Sequence, residues 1–165
     1  MKPPANDHKP LLLVDVDGVI SLFDFELHAR PPGRFENVEG IGHYLSAAAG
    51  GHLRHLAEHF ELVWCTGWQE RANEHLVRAL DLPAHLPHVA LAGPPAAGAR
   101  HWKLDAIEAH AGPDRPLAWI DDDHAGCERW ARERPGPTLL VTTTPALGIT
   151  DEHVRRLVAW ARRLG

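Results

Sequence analysis

The first residues able to do chemistry are two aspartates one position apart, Asp15 and Asp17, in the stretch L-L-L-V-D-V-D-G over residues 11–18. Two like charges this close need a counter-charge, and a divalent cation is the obvious one. Asp and Gly are also turn formers, so on its own the stretch reads equally well as a turn. Three further positions add to it. Thr66-Gly67 closes an apolar run, Lys103 stands near the start of a helical pattern, and Asp121-Asp122-Asp123 closes another apolar run. Acidic residues hold Mg²⁺, a hard cation that takes oxygen ligands. A hydroxyl and backbone N–H groups hold phosphate oxygens, and a lysine neutralises charge that builds on a transferring group. A carboxylate can also attack phosphorus and form an aspartyl-phosphate. Together these are the parts needed to move a phosphoryl group.

The elements must bring these groups to one edge. Residues 11–14 read as a strand buried on both faces. It stops at Asp15, because carboxylates are almost never left buried and unpaired. In open α/β sheets ligands bind at the carboxyl ends of the strands. Residues 19–46, with R-P-P-G at 30–33 and Gly40 and Gly42, read as a β-hairpin or flap lying over that edge. A helix over 51–60, a strand over 61–65 and a helix over 69–80 follow. Then come a short strand over 89–92, a loop over 93–98 and a helix over 100–111 with Lys103 in its first turn. A strand over 117–120, a helix over 124–134 and a strand over 138–141 complete the pattern, and the last helix is capped by Thr150 or Asp151. Strands alternating with helices mean an α/β fold, here a mostly parallel five-stranded sheet with helices on both faces.

The 165 residues suit one domain, over 11–165, after a disordered lead-in at 1–10. A hydrophobic content of 44% and a charged content of 24% are those of an ordinary water-soluble protein. No apolar run is long enough to span a membrane, and residues 1–10 lack a signal-peptide core. Cys65 and Cys127 show no metal or redox spacing, so reduced thiols and a cytoplasmic location are expected. A formal charge of −5 argues against a generally basic nucleic-acid surface. Arg155, Arg156, Arg162 and Arg163 read as the solvated face of the last helix.

D-V-D-G-V, Thr66 at a strand end, Lys103 before a helix and I-D-D-D after a strand resemble the four motifs of the haloacid dehalogenase (HAD) superfamily, in order and across nearly the whole core. The resemblance implies a Rossmann-like three-layer sandwich. It implies Asp15 as the nucleophile that becomes phosphorylated, and Asp17 as acid to the leaving group and then base for water. Thr66 and Gly67 would bind phosphoryl oxygens, and Lys103 would tie Asp15 to the phosphate. Mg²⁺ would be held by Asp15, the Asp17 backbone carbonyl, Asp121 and Asp122. The intervals between motifs leave no room for a folded cap, which among relatives goes with large substrates. L-V-W-C-T-G-W, H-W-K and A-W-I-D-D-D resemble, more narrowly, the HAD domains of Swiss Army Knife RNA-repair proteins, proposed nucleic-acid end phosphatases.

Several residues carry two readings. Trp68 could stack a base or sugar beside the phosphate, or simply pack. Trp64 and Trp119 read as core. Asp123 is either the second acid of the fourth motif or the cap of the next helix. His52, His55 and His59 have metal-compatible helical spacing but read as surface histidines. His101 and His124 flank the third and fourth motifs and read as supporting or surface residues. The expected function is a Mg²⁺-dependent phosphomonoester hydrolase acting on a phosphorylated small molecule or a nucleic-acid end. The alternatives are a catalytically idle binding or regulatory module, and a phosphotransferase, for which no acceptor site is visible.

Overall fold

The structure is a computed structural model and describes residues 8–93 and 100–165. The expected loop over 93–98 therefore lies almost wholly outside the described residues, as do residues 1–7 of the lead-in. The rest of the lead-in is docked: Glu61 N–H donates to the Pro10 carbonyl at 3.0 Å, and Lys9 Nζ donates to the Ala57 carbonyl at 2.8 Å.

The apolar run at 11–14 forms β1 (Leu11–Val14), buried along its whole length. It pairs in parallel with β5 (Glu61–Trp64) on one side and β6 (Leu117–Asp121) on the other, and β6 pairs with β7 (Thr138–Thr142). The sheet order is β5-β1-β6-β7, so β1, which delivers Asp15, is central. The side-chain period of two sends Leu12 and Val14 to one face and Leu11 and Leu13 to the other. Leu12 and Val14 pack with Leu53, Leu56, Leu76 and Leu157, from helices α1 (Ala49–Leu56), α2 (Arg71–Ala79) and α5 (Asp151–Arg162). Leu11 and Leu13 pack with Leu104 and Ile107 of α3 (Leu104–Ala111), and Trp130 of α4 (Glu128–Glu133) closes that side. The three-layer α/β sandwich is thus present.

Among the described residues the sheet has four strands rather than five. The expected strand at 89–92 reduces to one bridge, His88 beside Trp64, with Val89 N–H donating to the Trp64 carbonyl at 2.8 Å. Proline at 83 and 87 removes two backbone donors from this segment, which limits how far it can ladder.

The expected flap is a second, antiparallel sheet, in order β2-β4-β3: β2 (Ser21–Leu22), β3 (Gly33–Val38) and β4 (Ile41–Ser46). A two-residue turn, Glu39-Gly40, joins β3 to β4 with φ of 53° and 86°. Both positive angles match the mirror-image turn that suits the twist of a hairpin, and Gly40 adopts its angle without strain. No cap domain stands among the described residues.

Two helices start four residues later than the sequence pattern suggests, α3 at Leu104 and α4 at Glu128. Lys103 directly precedes α3 rather than lying in its first turn, and α4 begins at Glu128, so residues 124–127 form a turn. Gly126, with φ of 76°, interrupts the helical run there. Thr150 precedes α5, and its N–H donates to the His153 ring at 3.1 Å. Among the described residues no helix is long and apolar enough to cross a membrane.

Candidate active site

Three strand ends and one helix start meet at the carboxyl edge of the parallel sheet. Asp15 follows β1 and is buried; its N–H donates to the Ile120 carbonyl at 3.1 Å, holding it against β6. Thr66 follows β5, where Cys65 N–H donates to the Val14 carbonyl at 2.8 Å. Asp121 ends β6. The Lys103 side chain comes from the start of α3 and lies among them. Its ammonium is 3.2 Å from Asp15 Oδ1, and it donates to Asp121 Oδ2 at 2.6 Å and to the Cys65 carbonyl at 2.9 Å.

Every donor of this buried ammonium therefore faces an oxygen, as a buried cation requires. Desolvation works against the charged form, but Asp15 and Asp121 outweigh it and hold Lys103 protonated above the ordinary lysine range. Desolvation also pushes the Asp15 carboxyl well above its ordinary value, with Lys103 pulling the other way. Asp121 is also desolvated, yet its closer Lys103 contact and the N–H of Asp123, which donates to Oδ1 at 3.0 Å, hold it below its ordinary value. Trp119 Nε1–H adds a third bond to Asp121, at 3.1 Å. Desolvation and the neighbouring Asp121 raise Asp122 to about 6.

Asp15, Asp121 and Asp122 each offer a carboxylate oxygen, and those atoms lie within 4.8 Å of one another. Asp15 and Asp121 meet one ammonium and Asp122 stands beside them, so three ionised carboxylates would leave negative charge uncompensated. Hard oxygen donors with surplus negative charge fit Mg²⁺. Gly18 makes this packing possible: with φ of 80°, a Cβ there would stand 2.6 Å from the Asp122 carboxyl. The Asp17 side chain is not part of the carboxylate group. It stands at the mouth, half exposed, and accepts from Trp68 Nε1–H at 3.1 Å.

These residues line an open cleft of about 340 Å³, with Asp15, Lys103 and Asp121 at its base and Gly67, His101 and Trp102 on its walls. A larger cavity of about 560 Å³ between α3 and α4 touches none of the carboxylate cluster. There Arg100 and Glu108 pair with each other at 2.8 Å, so chemistry rather than volume marks the site.

A family model described as the HAD domain in Swiss Army Knife RNA repair proteins matches residues 11–154. The chain belongs to this family. No curated protein matches it. The HAD assignment covers all four motif positions, and the structure brings Asp15, Thr66, Lys103 and Asp121 together in the order and at the edge that the motifs imply.

Other residues of this HAD domain fall differently from the sequence reading. Trp64 and Trp119 are fully buried, but each also makes a polar bond, Trp64 Nε1–H to Asn73 Oδ1 at 2.9 Å and Trp119 to Asp121. Asp123 does not cap α4; it accepts from Ala125 N–H at 2.9 Å and shapes the turn before it. His101, on the cleft wall, accepts from the backbone N–H of Lys103 through Nδ1 at 3.2 Å. His124 is buried against Trp119, ring centroids 4.5 Å apart, with Nδ1 bonded to Thr142 Oγ1 at 2.8 Å; desolvation lowers it to about 4. The helical histidines do have a carboxylate beside them: His55, Glu58 and His59 place ligand atoms within 4.8 Å of one another, at the surface. Sequence reading missed Gly18 as the floor under Asp122, and it missed His43. The G directly after D-x-D signals the first; nothing in the local sequence around His43 signals the second.

Proposed function

We propose that this domain is a Mg²⁺-dependent phosphomonoester hydrolase that works through an aspartyl-phosphate on Asp15. The observation that carries this reading is Lys103, buried with its ammonium between Asp15 and Asp121 at the base of an open cleft. A structural ion pair needs one carboxylate; this lysine serves two, beside a third that completes a metal-ligand set. A binding module has no use for that arrangement.

Asp15, Asp121 and Asp122 would hold the metal, with the Asp17 backbone carbonyl as the ligand the family resemblance adds. Mg²⁺ there supplies positive charge that favours ionised Asp15 and offsets charge on the phosphoryl oxygens. Asp15 attacks phosphorus as the bond to the leaving oxygen breaks. Asp17, at the mouth, gives that oxygen its proton. Asp17 then takes a proton from water, which attacks phosphorus and breaks the bond to Asp15, releasing inorganic phosphate. Thr66 accepts from Trp68 N–H at 3.2 Å, which leaves its own hydroxyl proton for a phosphoryl oxygen. Lys103 neutralises charge throughout.

The absence of a cap among the described residues and the open cleft favour a large or nucleotide-type substrate. The family description, with its RNA repair proteins, points to a nucleic-acid end as the class to try first. The test is phosphate release from p-nitrophenyl phosphate, nucleotides, sugar phosphates and oligonucleotides phosphorylated at either end, with Mg²⁺ or EDTA. Release that needs Mg²⁺ and disappears in Asp15→Asn is expected. Release at the wild-type rate from Asp15→Asn overturns the mechanism, and release from sugar phosphates alone overturns the substrate class.

A further inference from the structure

Asp17, unlike Asp15 and Asp121, lies outside the grip of Lys103. Its side chain is 53% exposed, so an ordinary carboxylate there would sample several rotamers. An acid that must reach one leaving oxygen gains from being held in one orientation. The structure supplies a holder. Trp68 Nε1–H donates to Asp17 Oδ2 at 3.1 Å, across 51 positions of sequence. Indole nitrogen only donates, so this bond forms to the carboxylate oxygen and needs no choice of tautomer.

The indole is itself held. Its own backbone N–H bonds Thr66 Oγ1, so one residue touches both the phosphate-binding hydroxyl and the acid. His43, on flap strand β4, packs edge-on against the indole with ring centroids 4.7 Å apart. Ser21 Oγ of β2 fixes that histidine through Nδ1 at 2.9 Å. His43 Nδ1 lies 3.9 Å from Asp17 Oδ1, beyond hydrogen-bonding distance, so its contribution is to the ring rather than to the carboxylate.

We propose that Trp68 is the positioning residue for Asp17, with His43 of the flap as its buttress. This rests on the phosphatase reading above. It gives Trp68 a role other than stacking on substrate, and it gives the flap a role other than covering the cleft. The indole sets the direction in which Asp17 delivers its proton, and loosening it impairs proton delivery while leaving the nucleophile in place.

A defect in proton delivery depends on the leaving group. p-Nitrophenolate leaves readily without a proton; phenolate, nearly the same shape, needs one more. Trp68→Phe keeps the ring and deletes the N–H. Its kcat/KM, which reports only steps through departure of the leaving group, is expected to fall at least about fivefold further for phenyl phosphate than for p-nitrophenyl phosphate. His43→Ala is expected to show the same bias at smaller size. Equal losses on both substrates, or none, overturn the role. A second readout does not depend on activity. The Trp68 indole N–H resonance, identified by its absence in Trp68→Phe, is expected to shift in Asp17→Ala, and an unmoved resonance overturns the proposal. Wild-type protein with no Mg²⁺-dependent turnover but a shifted resonance would sink the phosphatase reading and leave the Trp68–Asp17 bond standing.

Discussion

The parallel sheet, whose strand ends line the cleft, and the flap, which meets Trp68 beside it, are built on opposite terms. At the sheet edge Asp15, Thr66, Lys103 and Asp121 are all buried; Asp15, Lys103 and Asp121 are matched to one another across chain-distant elements, and Thr66 Oγ1 accepts from the nearby Trp68 N–H. The flap exposes Phe35 and Ile41 on its strands and Leu27 between them, and its β3 edge carries the exposed charges Arg34 and Glu36, paired with each other. Charges on an open edge discourage pairing with another chain. Buried polar contacts with several partners have few alternatives, whereas exposed pairs are easily exchanged for water. Chemistry is therefore concentrated where replacement costs most. The flap reaches the site through His43 against Trp68 and through the Ser21 carbonyl, which accepts from Gly18 N–H at 2.7 Å; Arg34 to the Ala79 carbonyl at 2.8 Å and Glu39 with Arg71 tie it to α2.

Breaking the sheet edge should cost the most. Lys103→Met leaves Asp15 and Asp121 buried without their counter-ion, and a loss of about 3–5 kcal/mol is expected by chemical denaturation at neutral pH. Added Mg²⁺ should restore part of it, because the cation would neutralise the same carboxylates. A loss below about 1 kcal/mol would mean that the pair is not a buried charge network.

His124 should give the next largest effect, as a pH dependence. Desolvation lowers it from 6.5 to about 4 in the folded protein. Between those values the unfolded chain binds a proton that the folded protein refuses, so this stabilising contribution is full above pH 6.5 and falls as pH drops toward 4. His124→Gln removes the titration. The stability difference between wild type and variant should move in the variant's favour by up to roughly 3 kcal/mol between pH 7 and pH 4. A constant difference would show that the histidine does not titrate this way.

Gly18→Ala sharpens the picture at the proposed metal-ligand set. A residue at φ of 80° with a Cβ 2.6 Å from the Asp122 carboxyl is strained and must displace that acid. A stability loss of about 1–3 kcal/mol is expected, with Mg²⁺ affinity by calorimetry reduced at least about tenfold. Unchanged affinity would remove Asp122 from the set. The smallest effect belongs to the flap: Arg71→Ala breaks an ion pair with both partners about half exposed and should cost less than about 1 kcal/mol. A larger loss would mean that the flap is anchored as firmly as the sheet.

The same division governs what could be read from sequence. β1, β5, β6 and β7 are short apolar runs ending in polar residues, so both the strands and the groups they deliver stand out in the chain. Lys103 is legible by its place before a helix. The five-strand expectation failed at 89–92 because an apolar run shows burial but says nothing of how many backbone donors its flanking prolines leave. The helical pattern starts α4 at 124, four residues early, because Gly126, with φ of 76°, breaks the backbone inside an otherwise helical spacing. Tertiary hydrogen bonds were the least legible: Trp68 to Asp17 and Trp119 to Asp121 depend on where two elements meet, and an indole in a strand-end segment reads first as packing.

The proposed nucleophile is open to direct observation. Wild-type protein mixed with p-nitrophenyl phosphate and Mg²⁺, quenched in acid and digested, should yield the peptide bearing Asp15 with the mass of one added phosphoryl group, absent in Asp15→Asn. Phosphate release without that adduct in wild type, or with the adduct on another residue, would contradict catalysis through Asp15.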